Sequence, residues 1–245
     1  MIAAARVDLQ SLTTSAGPLV VAIVASYLLG SIPAAYIAGK SKGIDLRKHG
    51  SGNLGATNVI RVLGTKVGLL VFAFDMAKGA APVLLFPKWV VSAAGPIADP
   101  VIVGIICGIA AIIGHVRPIY LKFGRGGKGV ATAAGVFLAL APLQTLLTLI
   151  VFAVVLLSSG YVSLGSLTSG LMLPVLLGLT IGVRSPVFAI SVAVAAFVFW
   201  THRANIGRLQ RGEEPRFGRK SPPAEKNGVN EDDDDRSGSD RRGAS

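Results

Sequence analysis

The sequence predicts an all-α membrane protein with about seven transmembrane helices, and composition and charge placement are the observations behind that prediction. Apolar residues make up 51% of the 245 residues and charged residues only 15%, whereas charged residues account for roughly 25% of a typical soluble domain. Of the 13 acidic residues, nine lie between Glu213 and Asp240, which leaves four in the first 202 residues. A soluble fold of that length could not cover its surface with so few charges, so the sequence predicts a bilayer protein.

Seven apolar runs account for the predicted spans. They fall at about 18–39, 67–87, 99–116, 129–141, 143–158, 163–182 and 186–201. A crossing helix needs roughly 20 residues, so the fourth and fifth runs are short. Pro142 stands between those two runs and lacks an amide donor, so it either separates two helices or kinks one. The count is therefore seven, or six if Pro142 only kinks a single helix.

The basic residues predict the orientation. Sixteen Lys and Arg side chains lie in three connections, 40–66, 117–128 and 203–220, whereas the connections between them carry only Lys88 and Arg184. Because cytoplasmic loops carry the excess of Lys and Arg, the N-terminus is predicted outside and the C-terminus in the cytoplasm, which requires an odd number of spans. The net charge of +11 therefore indicates membrane topology, not a nucleic-acid interface.

Three regions follow from this pattern. Residues 1–17 form a short external segment, residues 18–211 form the seven-helix domain with its working loops on the cytoplasmic side, and residues 212–245 form a charged cytoplasmic tail. The tail holds the acidic run 231–235 and almost no apolar residues, a composition that predicts disorder. The one cysteine, Cys107, excludes an intrachain disulfide.

Two glycine-dense loops lie on the predicted cytoplasmic side. Residues 49–58 read HGSGNLGATN and residues 122–132 read KFGRGGKGVAT. Both contain G-x-G-x-x-G, but neither lies in a βαβ unit and the second lacks the Walker A spacing. Glycine lets consecutive N–H groups converge on an anion, and the helix that starts after the second loop adds its dipole. Two such loops predict phosphate binding; flexible linkers anchored by lysines are the alternative.

Other polar side chains are candidates for the same site. His202 and Asn205 share a helical face at i, i+3, although this segment by itself favours a basic helix end anchored at the membrane surface. Asp75 and Lys78 can pair inside the membrane, where ionisable residues are functional candidates by default, and a structural pair is the alternative. Ser163 and Ser166 can cap a helix or reach the site.

Several kinds of chemistry are excluded. The sequence has no H-E-x-x-H and no paired cysteines that would hold a metal, and no G-x-S-x-G elbow for an acyl-serine. No histidine is followed five residues later by aspartate. The chain therefore offers phosphate-binding groups and a membrane, but no obvious nucleophile.

At these three clusters the chain closely resembles the bacterial acyl-phosphate-dependent glycerol-3-phosphate acyltransferases, which are integral membrane enzymes of phospholipid synthesis. The resemblance runs from the YLLGSIP stretch at 27–33 through Glu214. It implies a seven-helix bundle in the bacterial plasma membrane with a cytoplasmic active site. The implied reaction transfers a fatty acyl group from acyl phosphate to the 1-hydroxyl of glycerol 3-phosphate, without an acyl-enzyme intermediate. The implied partners are these two substrates and the lipid bilayer, with no nucleic acid, metal or organic cofactor.

The resemblance also assigns residues. Ser51 matches the family's active-site serine, Arg61 its phosphate-binding arginine and Lys128 its second-loop phosphate lysine. The general base is His202 or a substrate phosphate. The catalytic candidates are Ser51, Ser166, His202 and Asn205. The candidates for substrate and phosphate binding are Gly50, Gly52, Asn53, Asn58, Arg61, Gly126, Gly127, Lys128, Gly129 and Thr132.

Three departures from the family pattern concern the loops. Leu54 stands where the family usually has proline, and Arg117 replaces a common aromatic residue. The second loop is one residue longer than the usual form, which leaves open which of its N–H groups face a ligand.

Two other functions compete with acyl transfer. A transporter for a phosphorylated solute should carry polar residues along a whole pathway, but the predicted outer half is nearly bare. A scaffold that binds anionic lipid would need only scattered Lys and Arg, without the glycine loops.

Overall fold

The computed structural model describes residues 9–94 and 99–217. These residues are helical and contain no strand, which confirms the predicted all-α membrane fold. Ten α-helices follow one another in these ranges: α1 (Leu9–Ser31), α2 (Ala34–Lys40), α3 (Ala56–Leu63), α4 (Thr65–Ala94), α5 (Pro100–Val116), α6 (Val130–Leu140), α7 (Pro142–Ser159), α8 (Val162–Thr180), α9 (Pro186–Thr201) and α10 (Arg203–Gln210). Two 3-10 turns, Leu46–Lys48 and Ile119–Leu121, precede the glycine loops.

Each predicted apolar run corresponds to a helix or a helix pair, but not all are long enough to cross a bilayer. Five candidate spans have the necessary length and hydropathy, and the bent pair α9–α10, with an angle of 59°, raises the number to six. The fourth run is α6, whose 11 residues extend roughly 16 Å at 1.5 Å per residue. The seven-span count and the positions of the termini remain predictions.

Proline decides where two of the runs break. α6 ends at Leu140 and α7 begins at Pro142, with Ala141 between them at φ −150°. Pro142 therefore separates two helices rather than kinking one, since proline at a first helical position forfeits no hydrogen bond. The first predicted run is also interrupted at a proline: α1 ends at Ser31, and α2 begins at Ala34, directly after Pro33, although Ala16–Lys40 still forms one candidate span.

Glycines bring the central helices into contact. A Cβ atom at Gly30 of α1 would collide with the Ala111 carbonyl oxygen of α5, and one at Gly79 of α4 would collide with the Thr132 carbonyl oxygen of α6. Gly135 of α6 has the same relation to the Met76 carbonyl oxygen. Small residues at such crossings let helix backbones approach closely, which is how helices associate where lipid replaces water.

An apolar cluster closes the bundle at the α6–α7 junction. This inner core cluster comprises Ile105, Phe137, Ala141, Leu173, Leu177 and Val187. Its members come from α5, α6, α8 and α9 and from the residue before Pro142, so it ties the turn after α6 to the later helices. Phe137 is its largest fully buried member, with 1% of its surface exposed.

The predicted terminal regions are only partly described. Residues 1–8 and 218–245, including the acidic run, lie outside the described residues, and α1 begins at Leu9, inside the segment predicted to precede the first span. Residues 212–217 belong to the predicted tail, and two of them contact the bundle: Glu214 is buried, and the Phe217 amide donates to the Gly160 carbonyl oxygen at 2.7 Å. The other side chains of this stretch are exposed.

Candidate active site

A cavity of about 910 Å³ opens among the helices and the two glycine loops. One part of its wall, the polar half, carries the loops and the charged side chains, and the apolar half is lined by side chains such as Phe137, Phe152 and Leu173. Twelve of the 14 predicted site residues line this cavity: Gly50, Ser51, Asn53, Asn58, Arg61, Gly126, Gly127, Lys128, Gly129, Ser166, His202 and Asn205. Three segments distant in sequence therefore form one site.

Asn58 holds the first glycine loop in shape. Its Oδ1 accepts from the Ser51 amide at 2.9 Å, and its Nδ2 donates to the carbonyl oxygens of His49 at 3.1 Å and Leu46 at 3.3 Å. Gly50, at φ +61°, has no room for a Cβ beside the Asn58 amide. Asn58 was predicted as a ligand residue, and its polar atoms are engaged within the loop, where one of them positions the Ser51 amide.

The second loop rests on His115 of α5. A Cβ at Gly127 would collide with the His115 imidazole ring, and one at Gly126 would collide with the His115 carbonyl oxygen. The Gly126 amide also donates to the Val116 carbonyl oxygen at 3.0 Å. Only glycines allow the chain to lie against α5 in this way, and that contact fixes the position of the next residue, Lys128.

Lys128 is held by a chain of polar groups from the C-terminal segment. Its Nζ donates to Oδ1 of Asn205, whose Nδ2 donates to Oε1 of Glu214 at 2.5 Å. The other carboxylate oxygen of Glu214 accepts from Nε of Arg208 at 2.7 Å. Because each side chain in the series orients the next, the position of the Lys128 ammonium depends on residues about 80 positions away in sequence.

Burial changes the acid–base behaviour of this group. Burial lowers the pKa of Lys128 to about 8; Glu214 opposes the shift, while Arg208 and Arg61 add to it. Burial raises the pKa of Glu214, but hydrogen bonds from Asn205 and Arg208 outweigh it, so the net pKa lies below the usual value and the carboxyl is ionised. The lysine is thus a cation that loses its proton not far above neutrality.

The remaining predicted catalytic side chains lie around the same cavity. Nδ1 of His202 donates to the Val198 carbonyl oxygen at 2.8 Å, so in the neutral ring Nε2 carries the free lone pair. The Ser166 hydroxyl donates to the Val162 carbonyl oxygen at 2.9 Å. The buried Ser163 hydroxyl also lines the cavity, next to the Glu214 carboxylate.

Positive charge predominates in the polar half. Basic side chains from three segments line the cavity: Arg61, Arg117, Arg125, Lys128, Arg203 and Arg208. The acidic residues in its lining are Asp75 and Glu214, and both are paired with cations. The net field therefore favours anions.

The predicted intramembrane pair is present. Nζ of Lys78 lies 2.8 Å from Oδ1 of Asp75 and also donates to the Ile32 carbonyl oxygen at 2.8 Å. Nδ1 of His115 lies 3.5 Å from the same aspartate oxygen. The pair therefore lies behind the His115 ring, which the second loop contacts. Through Lys78 it also binds the backbone between α1 and α2.

Two predicted ligand residues do not reach the cavity. Gly52, at φ +68°, turns the first loop toward the Arg47 carbonyl oxygen and is absent from the cavity lining. Thr132 is fully buried and packs against Gly79 of α4. It faces away because one residue rotates a helix by about 100°, so α6 presents Ala131 and Ala133 to the cavity instead. Neither residue is therefore in a position to contact a ligand in this cavity.

Sequence reasoning missed the part of Glu214 in this site. Glu214 was placed in the tail, although its distance of 12 residues from His202 is visible in the sequence. The signal available in the sequence was the presence of two possible partners nearby, the cation Arg208 and the amide Asn205. In residues 9–94 and 99–217, no group of three or more His, Cys, Asp or Glu side chains is arranged to hold a metal ion.

Comparison with known proteins gives consistent matches over most of the chain. Residues 20–212 match the family model described as glycerol-3-phosphate acyltransferase. The protein of that description from Geotalea daltonii is 43% identical over 200 residues, which cover 82% of this chain and 98% of the relative. Its counterpart from Prochlorococcus marinus is 45% identical over 198 residues, covering 79% and 92%.

Solved structures show the same similarity in three dimensions. PlsY (YgiH), described as an integral membrane glycerol 3-phosphate acyltransferase, has been solved in a glycerol 3-phosphate form that superposes with a TM-score of 0.72 at 38% identity, covering 82% of this chain and 96% of that one. Its lysophosphatidic acid form superposes with a TM-score of 0.69 at 37% identity, covering 82% and 95%.

Proposed function

The chain belongs to the glycerol-3-phosphate acyltransferase family, and we propose that its acyl donor is a fatty acyl phosphate. The acceptor is the 1-hydroxyl of glycerol 3-phosphate, and the products are 1-acylglycerol 3-phosphate and inorganic phosphate. One observation carries the proposal: the cavity joins two glycine loops and a cluster of cations to an apolar half. The related PlsY structures, in glycerol 3-phosphate and lysophosphatidic acid forms, support the acceptor and the product class.

The chemistry needs no covalent enzyme intermediate. The acceptor oxygen attacks the carbonyl carbon of the acyl phosphate, the bond from that carbon to the phosphate oxygen breaks, and phosphate leaves with the electron pair. The hydroxyl proton passes to Nε2 of His202 or to a substrate phosphate. Because a mixed anhydride is already activated, the protein contributes mainly by positioning two phosphates and stabilising the charge that develops on the carbonyl oxygen.

The residues divide this work by position. Arg61 offers a planar fork that suits phosphate oxygens, and Lys128 offers a point charge at the second loop. The Ser51 hydroxyl, on the loop that Asn58 holds, donates to the carbonyl oxygen or to phosphate. Asn205 presents Lys128 to the cavity and Ser166 completes the polar lining.

The site is assigned to the cytoplasmic face of a bacterial plasma membrane. The support is the excess of Lys and Arg in the connections that carry both glycine loops and the segment after α9. Both glycerol 3-phosphate and the proposed donor are anionic, so this basic face also attracts them.

The donor is tested with purified protein in lipid. Glycerol 3-phosphate is supplied with palmitoyl phosphate, palmitoyl-CoA or palmitoyl carrier protein in parallel, and lysophosphatidate is measured. We expect product with palmitoyl phosphate alone. Product from a thioester would keep acyl transfer but overturn the donor. Absence of product with every donor, from protein shown to be folded, would favour transport of a phosphorylated solute.

A further inference from the structure

The apolar half of the cavity has a measurable depth. On α9 the lining residues run from Thr201 to Ser191, on α8 from Val162 to Leu173, and on α7 back from Leu156 to Thr145. The two ends of each stretch lie 10 or 11 residues apart, which at 1.5 Å per residue is roughly 15 to 16 Å. The lining residues of three helices therefore give about the same depth for the cavity, measured from the polar half.

Phe137 marks the place where the cavity ends. It is the last residue of α6 in the cavity lining and also a member of the inner core cluster. Ile105, Ala141 and Leu177, which pack around it in that cluster, are absent from the lining. Phe137, with 1% of its surface exposed, therefore lies where the cavity lining meets the close-packed inner core cluster.

The deep end offers no free hydrogen-bond donor from its hydroxyl groups. Thr145 donates to the Ala141 carbonyl oxygen at 2.9 Å, Thr148 to the Thr145 carbonyl oxygen at 2.8 Å, and Ser191 to the Phe188 carbonyl oxygen at 2.6 Å. Each hydroxyl is satisfied by its own helix, so what fits here is decided by shape and apolar contact.

We propose that Phe137 sets the length of the acyl chain that the enzyme accommodates. The inference rests on the proposed function, because it needs the donor phosphate in the polar half and the alkyl chain in the apolar half. Carbon–carbon bonds of about 1.5 Å at near-tetrahedral angles advance roughly 1.25 Å per carbon, so 15 to 16 Å holds about 12 carbons beyond the reacting carbonyl. Longer chains must bend away from Phe137 and gain no further contact in the cavity.

The test compares acyl phosphates of 8 to 18 carbons as donors. For the unmodified protein, kcat/KM rises by up to roughly fourfold for each methylene buried. The rise stops at a chain length of about 12 to 14 carbons, which we call the break point. Phe137→Ala moves that break point by two or more carbons and raises the ratio of 18-carbon to 12-carbon turnover about tenfold. Ser191→Leu, which adds bulk near the floor, moves it the other way. Val103→Ala is the control, since it opens a void in a different apolar cluster, outside the cavity lining, and leaves the break point unchanged.

Binding gives a second measurement that does not depend on turnover. Alkyl phosphates of the same lengths cannot transfer their chains, and their stabilisation of the protein against heat should show the same break points in each variant. If the break point is the same in the unmodified protein, Phe137→Ala and Ser191→Leu, the assignment of Phe137 is wrong. If the break points move in binding but no acyl phosphate is turned over, Phe137 does limit the chain length that the cavity holds, and the proposed acyl phosphate donor is wrong. If Phe137→Ala fails to fold, Ser191→Leu decides alone.

Discussion

The Nζ atom of Lys128 donates a hydrogen bond to Oδ1 of Asn205, 77 residues further along the chain. This contact joins the second glycine loop to the segment after α9, and Glu214 anchors the asparagine from its other side. The lysine is therefore presented to the cavity by a buried polar series. Its position and its charge can be changed separately, by altering either the lysine or its supports.

Removing the Lys128 ammonium should abolish most turnover without unfolding the protein. Loss of one preorganised charge at a reacting phosphate costs roughly 10²- to 10³-fold in kcat. We therefore expect the kcat of Lys128→Ala to be lower by that factor, while the variant inserts into the membrane and purifies like the parent. Lysophosphatidate formation measures it. The control is Lys66→Ala, at an exposed lysine outside the cavity lining. Full activity in Lys128→Ala would remove this lysine from the phosphate site.

Activity should fall on the alkaline side because Lys128 has a pKa of about 8. Below that value the side chain is a cation and holds phosphate; above it the proton is lost, while the substrate phosphate, with its second pKa near 6, keeps its charge. We expect kcat/KM for glycerol 3-phosphate to decline above pH 8, approaching tenfold per pH unit. Since arginine stays protonated, Lys128→Arg should keep whatever activity it has up to pH 10. A parent profile that is flat to pH 10 would contradict the assignment.

Glu214 should affect the pH at which kcat/KM declines on the alkaline side. Its negative charge raises the pKa of Lys128, so Glu214→Gln is expected to shift the decline in kcat/KM to lower pH, while the amide oxygen still accepts from Asn205. The matched control is Glu213→Gln, because Glu213 is exposed and pairs only with Arg211 in the described structure. An alkaline limb that moves equally in both variants would mean that overall charge, not the carboxylate of Glu214 in particular, controls the pKa of Lys128.

The contact between Gly127 and His115 should be intolerant of a single methyl group. The Cβ of Gly127→Ala would collide with the imidazole ring, so the loop must move and carry Lys128 with it. A shift of about 1 Å can cost about 10²-fold in rate. Gly17→Ala is the control, since its Cβ meets open space.

A double variant separates loop displacement from general damage. If displacement is the cause, His115→Ala combined with Gly127→Ala should recover part of the activity that Gly127→Ala loses. Additive losses in a double-mutant cycle would instead show that the two residues act independently.

Local patterns in the sequence predicted much of the site. Asp75 and Lys78 are i, i+3 on one helix, so their pairing needs only helical geometry. The gathering of Ser51, Lys128 and His202 followed from charge placement, since loops on one membrane face lie close together. The all-helical fold followed from apolar runs whose lengths suit a bilayer.

The remaining features depend on packing between segments. Whether Thr132 faces the cavity is decided by the rotation of α6 against Gly79 of α4, which no pattern within α6 reveals. The approach of His115 to Asp75 depends on how α5 packs on α4. Glu214 returns to Asn205 only because the chain reverses at Gly212, at φ +70°, so its composition-based placement in a solvated tail was misleading.

The lengths of α6 and α7 have a chemical consequence. The two helices meet at Ala141 but contain 11 and 18 residues, a difference of roughly 11 Å at 1.5 Å per residue. Lys128 and its loop, at the start of α6, are therefore set back from the level at which α7 ends. The proposed acyl phosphate donor, held at that depth, would meet fewer water molecules that compete with the acceptor hydroxyl, so a short α6 would favour ester formation over hydrolysis.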